Sequence, residues 1–397
     1  MSTHVKRAYR YRFYPTDVQA AELSRTFGCV RKVYNLALAA RTEAWVTRQE
    51  RVNYNATSAM LTAWKKTEEL AYLNEVSSVP LQQALRHLQT AFSHFFGKRA
   101  KYPRFKSRKT SRRSAEYTAS AFRFRDGALT LAKMTEPLAV VWSRPLPEGM
   151  APSTVTVSQD AAGRWFVSML CDDPGVKPLP ENGNAVGIDA GLEHLLILST
   201  GEKIANPRHE RRDRAALAQA QRRLAKKEKG SANRARARLK VAKIHARIAD
   251  RRRDTLHKIT TRLVRENQTI VIEDLAVRNM VKNRKLARAI SDAAWSEFRS
   301  MLEYKAQWYG REVIAVDRWF PSSRLCSACN TLLDRMPLHV RTWTCDCGVA
   351  HDRDVNAANN LLAAGLAVTV CGAGVRPQRS TPDGQSATKQ KPSRREP

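Results

Sequence analysis

At 397 residues the chain is long enough to bury two or three separate cores. Lys and Arg total 69 against 37 Asp and Glu, a formal net charge of +32, so a polyanionic partner is expected. No stretch approaches the ~18 to 20 uncharged apolar residues of a membrane helix, which ranks nucleic acid above anionic lipid as that partner.

The opening MSTHVKRAYRYRFYP lacks the apolar core and cleavage site of a secretion signal, so a reducing cytoplasmic compartment is expected. Residues 6 to 14, KRAYRYRFY, alternate basic and aromatic side chains, the period of a strand with one packed and one charged face. From Pro15 to Phe96 apolar residues recur every three or four positions, and Ser78 with Pro80 marks a helix start. A helical insert over about residues 15 to 110 is therefore predicted within the N-terminal domain.

The run GKRAKYPRFKSRKTSRR (97 to 113) is densely basic. Such runs are often only solvated faces, but Tyr102 and Phe105 among the cations can stack on bases. Lys98, Arg99, Lys101, Tyr102, Arg104, Lys106 and Arg108 are the candidate nucleic-acid contacts here. Strand patterns in AFRFRDGALTLA, LAVVWS and STVTVSQDAAGRWFVSML, with turns at Gly127 and Gly163, complete a β-barrel or sheet. Residues 1–175 thus read as a nucleic-acid-binding domain, and DDPGVKPLPENGN as a linker.

A second domain opens at about 184 with AVGIDAGLEHLLILSTGEKI, two apolar strands flanking a glycine-bearing turn. Residues 208 to 265 read as an antiparallel helical pair broken near KGSAN, with Leu217, Leu224, Leu239, Ile244, Ile248 and Leu256 as its apolar stripe. Its wide basic face suits solvent or nucleic acid. QTIVIEDL and REVIAVDRWF are buried strands with a helix between them, and this part of the domain runs to 320. A cysteine segment occupies 321–349, DVNAANNLLAAGLA resumes as a helix within 350–371, and 372–397 is a disordered basic tail with little to bury.

Cys326-Ser-Ala-Cys329 and Cys345-Asp-Cys347 are separated by fifteen residues, the spacing of two knuckles that fold back onto one tetrahedral Zn²⁺. The C-x-C half is tighter than the usual C-x-x-C, and His339 or His351 could replace one ligand. Four soft ligands leave no open position, so this zinc is structural. Cys29, Cys171 and Cys371 stand alone as packed or tail thiols.

Acids near strand ends are usually just solvated, but three have unusual settings. VGIDAG puts Asp189 on a strand followed by small residues. IVIEDL ends a buried strand at Glu273, with Asp274 turned to the opposite face. HDRDVNAANN supplies Asp354 at a helix start, sharing a face with Ala357 and Ala358, while Asp352 suits the helix N-cap. Three such carboxylates are what two Mg²⁺ ions need for hydrolysis of a phosphodiester.

GIDAGL (187–192), IEDL (272–275), SSRLCSACN (322–330) and WTCDCGVAHDRDVNAANNL (343–361) together resemble the TnpB proteins of insertion sequences, relatives of the type V CRISPR effectors. YRFYPT, FGCVRKVYN, SSVPLQQALRHLQTAF and RAKYPRFKSR extend the resemblance over nearly the whole chain. It implies an RNA-guided DNA endonuclease: an N-terminal β-barrel with a helical insert, and a C-terminal RNase H-like (RuvC) domain carrying an inserted zinc ribbon. Its cofactors would be Mg²⁺, Zn²⁺ and a guide RNA, and its target double-stranded DNA, with no membrane partner. The family's catalytic triad falls on Asp189, Glu273 and Asp354 and its zinc ligands on the four clustered cysteines. In RNA-guided systems the protein reads a short duplex motif beside the target, which adds Gln82 and Gln83 of the insert to the candidate contacts. The competing readings are a carboxylate-triad DNA transposase, which would act without RNA, and a non-enzymatic zinc-ribbon regulator, which leaves the three acids unexplained.

Overall fold

The computed structural model describes residues 5–371 apart from 148 and 338, with side chains as far as Ala367; the predicted basic tail lies outside the described residues. The chain divides into two compact units between Gly175 and Val176.

The first unit begins with β1 (Val5–Phe13), whose Tyr9, Tyr11 and Phe13 are buried while the alternate positions carry the cations. The helices α1 (Asp17–Arg48), α2 (Tyr54–Trp64) and α3 (Ser78–Phe96) follow, with a 3-10 turn at Glu68–Asn74. A reciprocal capping box starts α1: Thr16 Oγ1 accepts the Gln19 N–H while the Gln19 amide oxygen accepts the Thr16 N–H. Leu81, Leu85 and Leu88 of α3 pack with Val33 and Leu38 of α1 in a core of their own. The strands then resume as β2 (Arg113–Thr118), β3 (Phe122–Arg125), β4 (Ala128–Leu131), β5 (Val140–Val141), β6 (Thr154–Gln159) and β7 (Trp165–Asp173). They make an antiparallel sheet in the order β2-β6-β7-β1-β5 and a separate β3–β4 hairpin. The Leu138 N–H donates to the Leu129 carbonyl, tying that hairpin to the segment that leads into β5.

Val176 to Pro180 are anchored to the second unit. Leu179 donates to the Tyr309 carbonyl, and the buried Arg311 guanidinium reaches the carbonyls of Leu179 and Pro180. Asn182 and Asn184 donate to the Glu266 carbonyl as well, so the predicted linker starts inside β7 at Asp172 and Asp173 and ends bonded to the second unit.

Three strands, not two, open the sheet of the second unit: β8 (Ala185–Asp189), β9 (His194–Leu198) and β10 (Lys203–Ala205). The third is too short for a period to register. The helices α4 (His209–Ala225) and α5 (Ala232–Glu266) form the expected pair. Leu217, Ile248 and Leu256 are buried, but Leu239 is exposed; Asp213 of α4 also pairs with Arg247 and Arg251 of α5 at 2.6 and 3.0 Å. Then come β11 (Thr269–Glu273), α6 (Val277–Met280), α7 (Ala287–Ala293), α8 (Trp295–Tyr309) and β12 (Glu312–Val316). Ala294, at φ 54°, splits the single helix predicted between the last two strands. The hairpin β13 (Thr342–Thr344) and β14 (Ala350–Asp352) leads into α9 (Arg353–Cys371).

The sheet order is β10-β9-β8-β11-β12, with β8, β11 and β12 parallel. Strand alternation sorts its two faces. Val186, Ile188, Ile270 and Ile272 join Leu256, Leu263, Phe298 and Leu302 of α5 and α8. Val271, Ile314 and Val316 face Leu361 and Leu362 of α9. No helix of the described residues is long and apolar enough to cross a membrane.

Candidate functional site

The register that pairs Ile272 with Ile188 puts Glu273 beside Asp189, at the same end of two adjacent parallel strands. Both occupy alternate positions on the face covered by α9. The helix reaches that face through Gly187: a Cβ there would lie 2.1 Å from the Ala358 carbonyl oxygen and 2.8 Å from the Leu362 nitrogen. Gly365 is likewise pressed on Val271. Asp354, one turn before Ala358, is thereby brought close enough to act on Asp189. Burial, then Glu273 and Asp354, push the Asp189 carboxyl up to about 7, although Arg353 and Arg341 oppose them. Burial and then Asp274 raise Glu273 as well.

Asp274 is spent elsewhere. It turns to the opposite side and is held by Arg299 at 2.7 Å and by Arg318. Asp352 is also spent: its Oδ1 accepts the N–H groups of Asp354 and Val355 at 3.1 Å, and its Oδ2 takes the Lys203 ammonium at 2.5 Å. It occupies the N-cap position of α9. Asp354 keeps one looser partner, Arg341, whose guanidinium is 3.4 Å from it and 3.6 Å from Glu193.

The four clustered thiols converge more tightly. The sulfurs of Cys326, Cys329, Cys345 and Cys347 all lie within 4.8 Å of one another, and no other described group of His, Cys, Asp or Glu does this, the three carboxylates included. Cys329–Cys345 and Cys326–Cys347 are 3.6 and 3.8 Å apart. The edge of a tetrahedron with ~2.3 Å Zn–S bonds is about 3.8 Å, so the set fits a zinc ion. Gly348, at φ +85°, closes the tight C-x-C turn by donating to the Cys345 carbonyl. His351 stands beside the thiols and does not replace one of them: its Nε2 is 3.1 Å from the Cys326 sulfur and its ring packs on Trp343. His339 is exposed and outside the cluster.

Two side chains that the motif reading passes over join the thiol segment to α9. Asn356 donates to the Leu325 carbonyl and accepts the Ser327 N–H, and Asn360 donates to Ser322 and Leu325. Both are buried at helical spacing, which is a legible signal. Arg341 left no such signal, because nothing local ties it to Asp354.

Of the basic run, Lys98, Arg99, Lys101, Arg104 and Arg108 are exposed, as is Gln82 on α3, with Gln83 half-buried. Lys106 is packed down instead: its ammonium sits 3.9 Å from the Tyr34 ring centre and Asn35 pins its backbone on both sides. Burial pulls its pKa down. Tyr102 is partly committed as well, bonding to Thr42 and packing edge-on against Phe92 and Phe95.

The family models that match this chain are a helix-turn-helix domain over residues 1–50, the OrfB_IS605 family described as "Probable transposase" over 156–284, and a Cas12f1-like TNB domain over 295–361. A Streptomyces pristinaespiralis protein named "Putative RNA-guided DNA endonuclease" is 69% identical over 395 residues, covering 99% of this chain and 98% of its own. Its namesake InsQ of Escherichia coli (strain K12) is 33% identical over 391 residues, 92% and 94% of the two chains. Among solved structures, the Cas12f1 chain of a complex with sgRNA and target DNA superposes with a TM-score of 0.53 at 14% identity, over 86% of this chain and 82% of that one. At that identity the likeness concerns the mixed α/β fold alone.

Proposed function

Because this chain belongs to the TnpB (OrfB_IS605) family, we propose that it is an RNA-guided DNA endonuclease in which Asp189, Glu273 and Asp354 form the cutting site. The observation that carries this reading is the meeting of three acids from β8, β11 and α9, with Asp189 pushed up to about 7 in part by the other two. A site that crowds like charges and half-buries them is short of cations.

Mg²⁺ held by the three carboxylates would supply an activated water and stabilise the leaving oxygen of a phosphodiester. The protein's own part is to fix the acids. Adjacent strand ends set Asp189 against Glu273, the close seat on Gly187 fixes α9, and Asp352 caps α9 so that Asp354 stays free of the helix backbone. Arg341 offsets part of the Asp354 charge.

In this reading the second unit is a RuvC-like nuclease domain, with first part 184–320, zinc-binding insert 321–349 and last part 350–371. The first unit, a β-barrel wall with its helical insert, binds nucleic acid through Gln82, Gln83 and the exposed cations of residues 97–113. Guide RNA pairs with one strand of double-stranded DNA, and the insert reads the duplex beside it.

Asp354→Ala should abolish Mg²⁺-dependent cleavage of guide-matched DNA by the purified protein–RNA complex while leaving target binding within about two-fold. Cutting at the wild-type rate would remove Asp354 from the site. The family description "Probable transposase" keeps one rival in view: a strand-joining enzyme working without RNA. Sequencing the RNA that co-purifies separates the two, since a guided nuclease carries a long element-derived transcript.

A further inference from the structure

The helical insert contains a cavity of about 430 Å³ between α1, α3 and the start of the basic run. Its walls are Trp45, Phe92, Phe96 and Tyr102, and at its polar end stand Arg41 and Gln89. The volume falls in the ~300 to 1,000 Å³ range of small-ligand sites.

Arg41 sets this cavity apart from a packing defect. Its residue surface is only 7% exposed, and its guanidinium lies 4.8 Å from the Phe92 ring centre. Nη2 donates to Gln89 at 2.5 Å, and no carboxylate among the described residues pairs with this guanidinium, which lines the cavity. Glu50, also in the lining, pairs with Arg48. A buried guanidinium lacking a carboxylate is costly beside an apolar occupant and favourable beside one that is flat and carries hydrogen-bond acceptors.

The rim has the complementary feature. Phe96 and Tyr102, both walls of the cavity, bracket the exposed cations Lys98, Arg99 and Lys101 in the chain. Trp45 and Phe96 are 47% and 67% exposed, large aromatic faces left open at the mouth. Stacking surface inside, acceptor-seeking donors at one end and phosphate-seeking cations outside match one nucleotide unit of a strand.

We propose that this cavity receives a single unstacked nucleobase from a nucleic-acid strand whose phosphates lie on Lys98, Arg99 and Lys101. The base stacks on Trp45 and Phe96 and turns its acceptor edge toward Arg41. This rests on the chain acting on nucleic acid, but requires nothing of the cutting site.

The test is a titration of the full chain with a short single-stranded RNA, and with the same sequence as DNA, each intact or made abasic throughout. Replacing Trp45 and Phe96 together by Ala should weaken the intact strand about ten-fold and leave the salt dependence unchanged, because no cation is touched. Abasic strands should bind wild type and variant alike. Trp45→Phe with Phe96→Tyr should restore affinity, which excludes a folding defect. Whichever sugar shows the base-dependent difference identifies the source of the base. Equal binding of both intact strands by wild type and the double Ala variant overturns the proposal, and so does an equal loss on abasic strands. Absence of any salt-dependent binding by wild type would instead bring down the nucleic-acid reading itself.

Discussion

The four thiols come from one short segment, residues 326–347, and meet within 4.8 Å; the three acids come from positions 189, 273 and 354 and stay further apart. The contrast has a physical origin. Closing a short loop costs little entropy, so four side chains from one such segment meet readily. Carboxylates repel, so they are held near one another only because a parallel sheet and a packed helix leave them no choice. The thiol cluster is therefore a local device, and an ion held there would contribute to folding, whereas the acid cluster is a global one whose like charges oppose folding.

Removing a zinc ligand should give the largest effect. Cys345→Ser should reduce zinc from about one per chain to near zero by elemental analysis and uncouple the insert from α9. Zinc-free protein that keeps its full thermal stability and cleavage would dissolve the distinction between the two sites. The next test leaves every charged group in place. Gly187→Ala adds a methyl where the Ala358 carbonyl already sits, so α9 must shift. A stability loss of about 1 to 3 kcal/mol or more is expected in denaturant titration, with cleavage falling further than zinc content. A neutral Gly187→Ala would mean that α9 does not fix the acids.

Much of this was legible in the sequence, and the exceptions share a cause. Alternation in IVIEDL separates Glu273 from Asp274, and Asp274 is indeed turned away and bound by Arg299 and Arg318. The cysteine spacing leads to sulfurs that converge. The choice of Gly187 as the seat for α9 was not legible, since Ala190 and Gly191 look equally permissive and only the partner helix distinguishes them. Lys106 reads as one more cation in a basic run, and its place on the Tyr34 ring depends on Asn35, far away in sequence. Ala294 breaks a helix in the left-handed region without the glycine that would announce it.

A subtler difference appears in the pH dependence of the acid site. The Asp189 carboxyl is raised from an ordinary value near 3.9 to about 7, so its ionised form is disfavoured in the folded protein. The cost enters as pH rises through that interval and is fully present above it. Added Mg²⁺ should therefore raise the Tm more at about pH 8 than at about pH 6, where protons compete. Asp189→Asn should raise the Tm of Mg²⁺-free protein at the higher pH and remove most of the Mg²⁺ increment. Calorimetry showing the same increment at both pH values would sink this.

The smallest expected effect is the sharpest on assignment, because it concerns an acid two residues from the proposed ligand. Asp352 caps α9 through two backbone N–H groups and reaches Lys203 on β10. Burial would raise its carboxyl, but the bonds from Lys203 and from the Val355 and Asp354 amides outweigh that and hold it below the ordinary range. Its contribution to stability is thus present near neutral pH and lost as pH falls through the depressed value. The Lys203 pair, about one-third exposed on each side, adds little after screening. Losing the cap should cost about 1 kcal/mol. Asp352→Asn, which keeps an N-capping oxygen, should cost less than Asp352→Ala, and both should still cut DNA. Were Asp352→Ala to abolish cleavage at unchanged stability, Asp352 and not Asp354 would be the residue that the acid site employs, and the cap would be incidental.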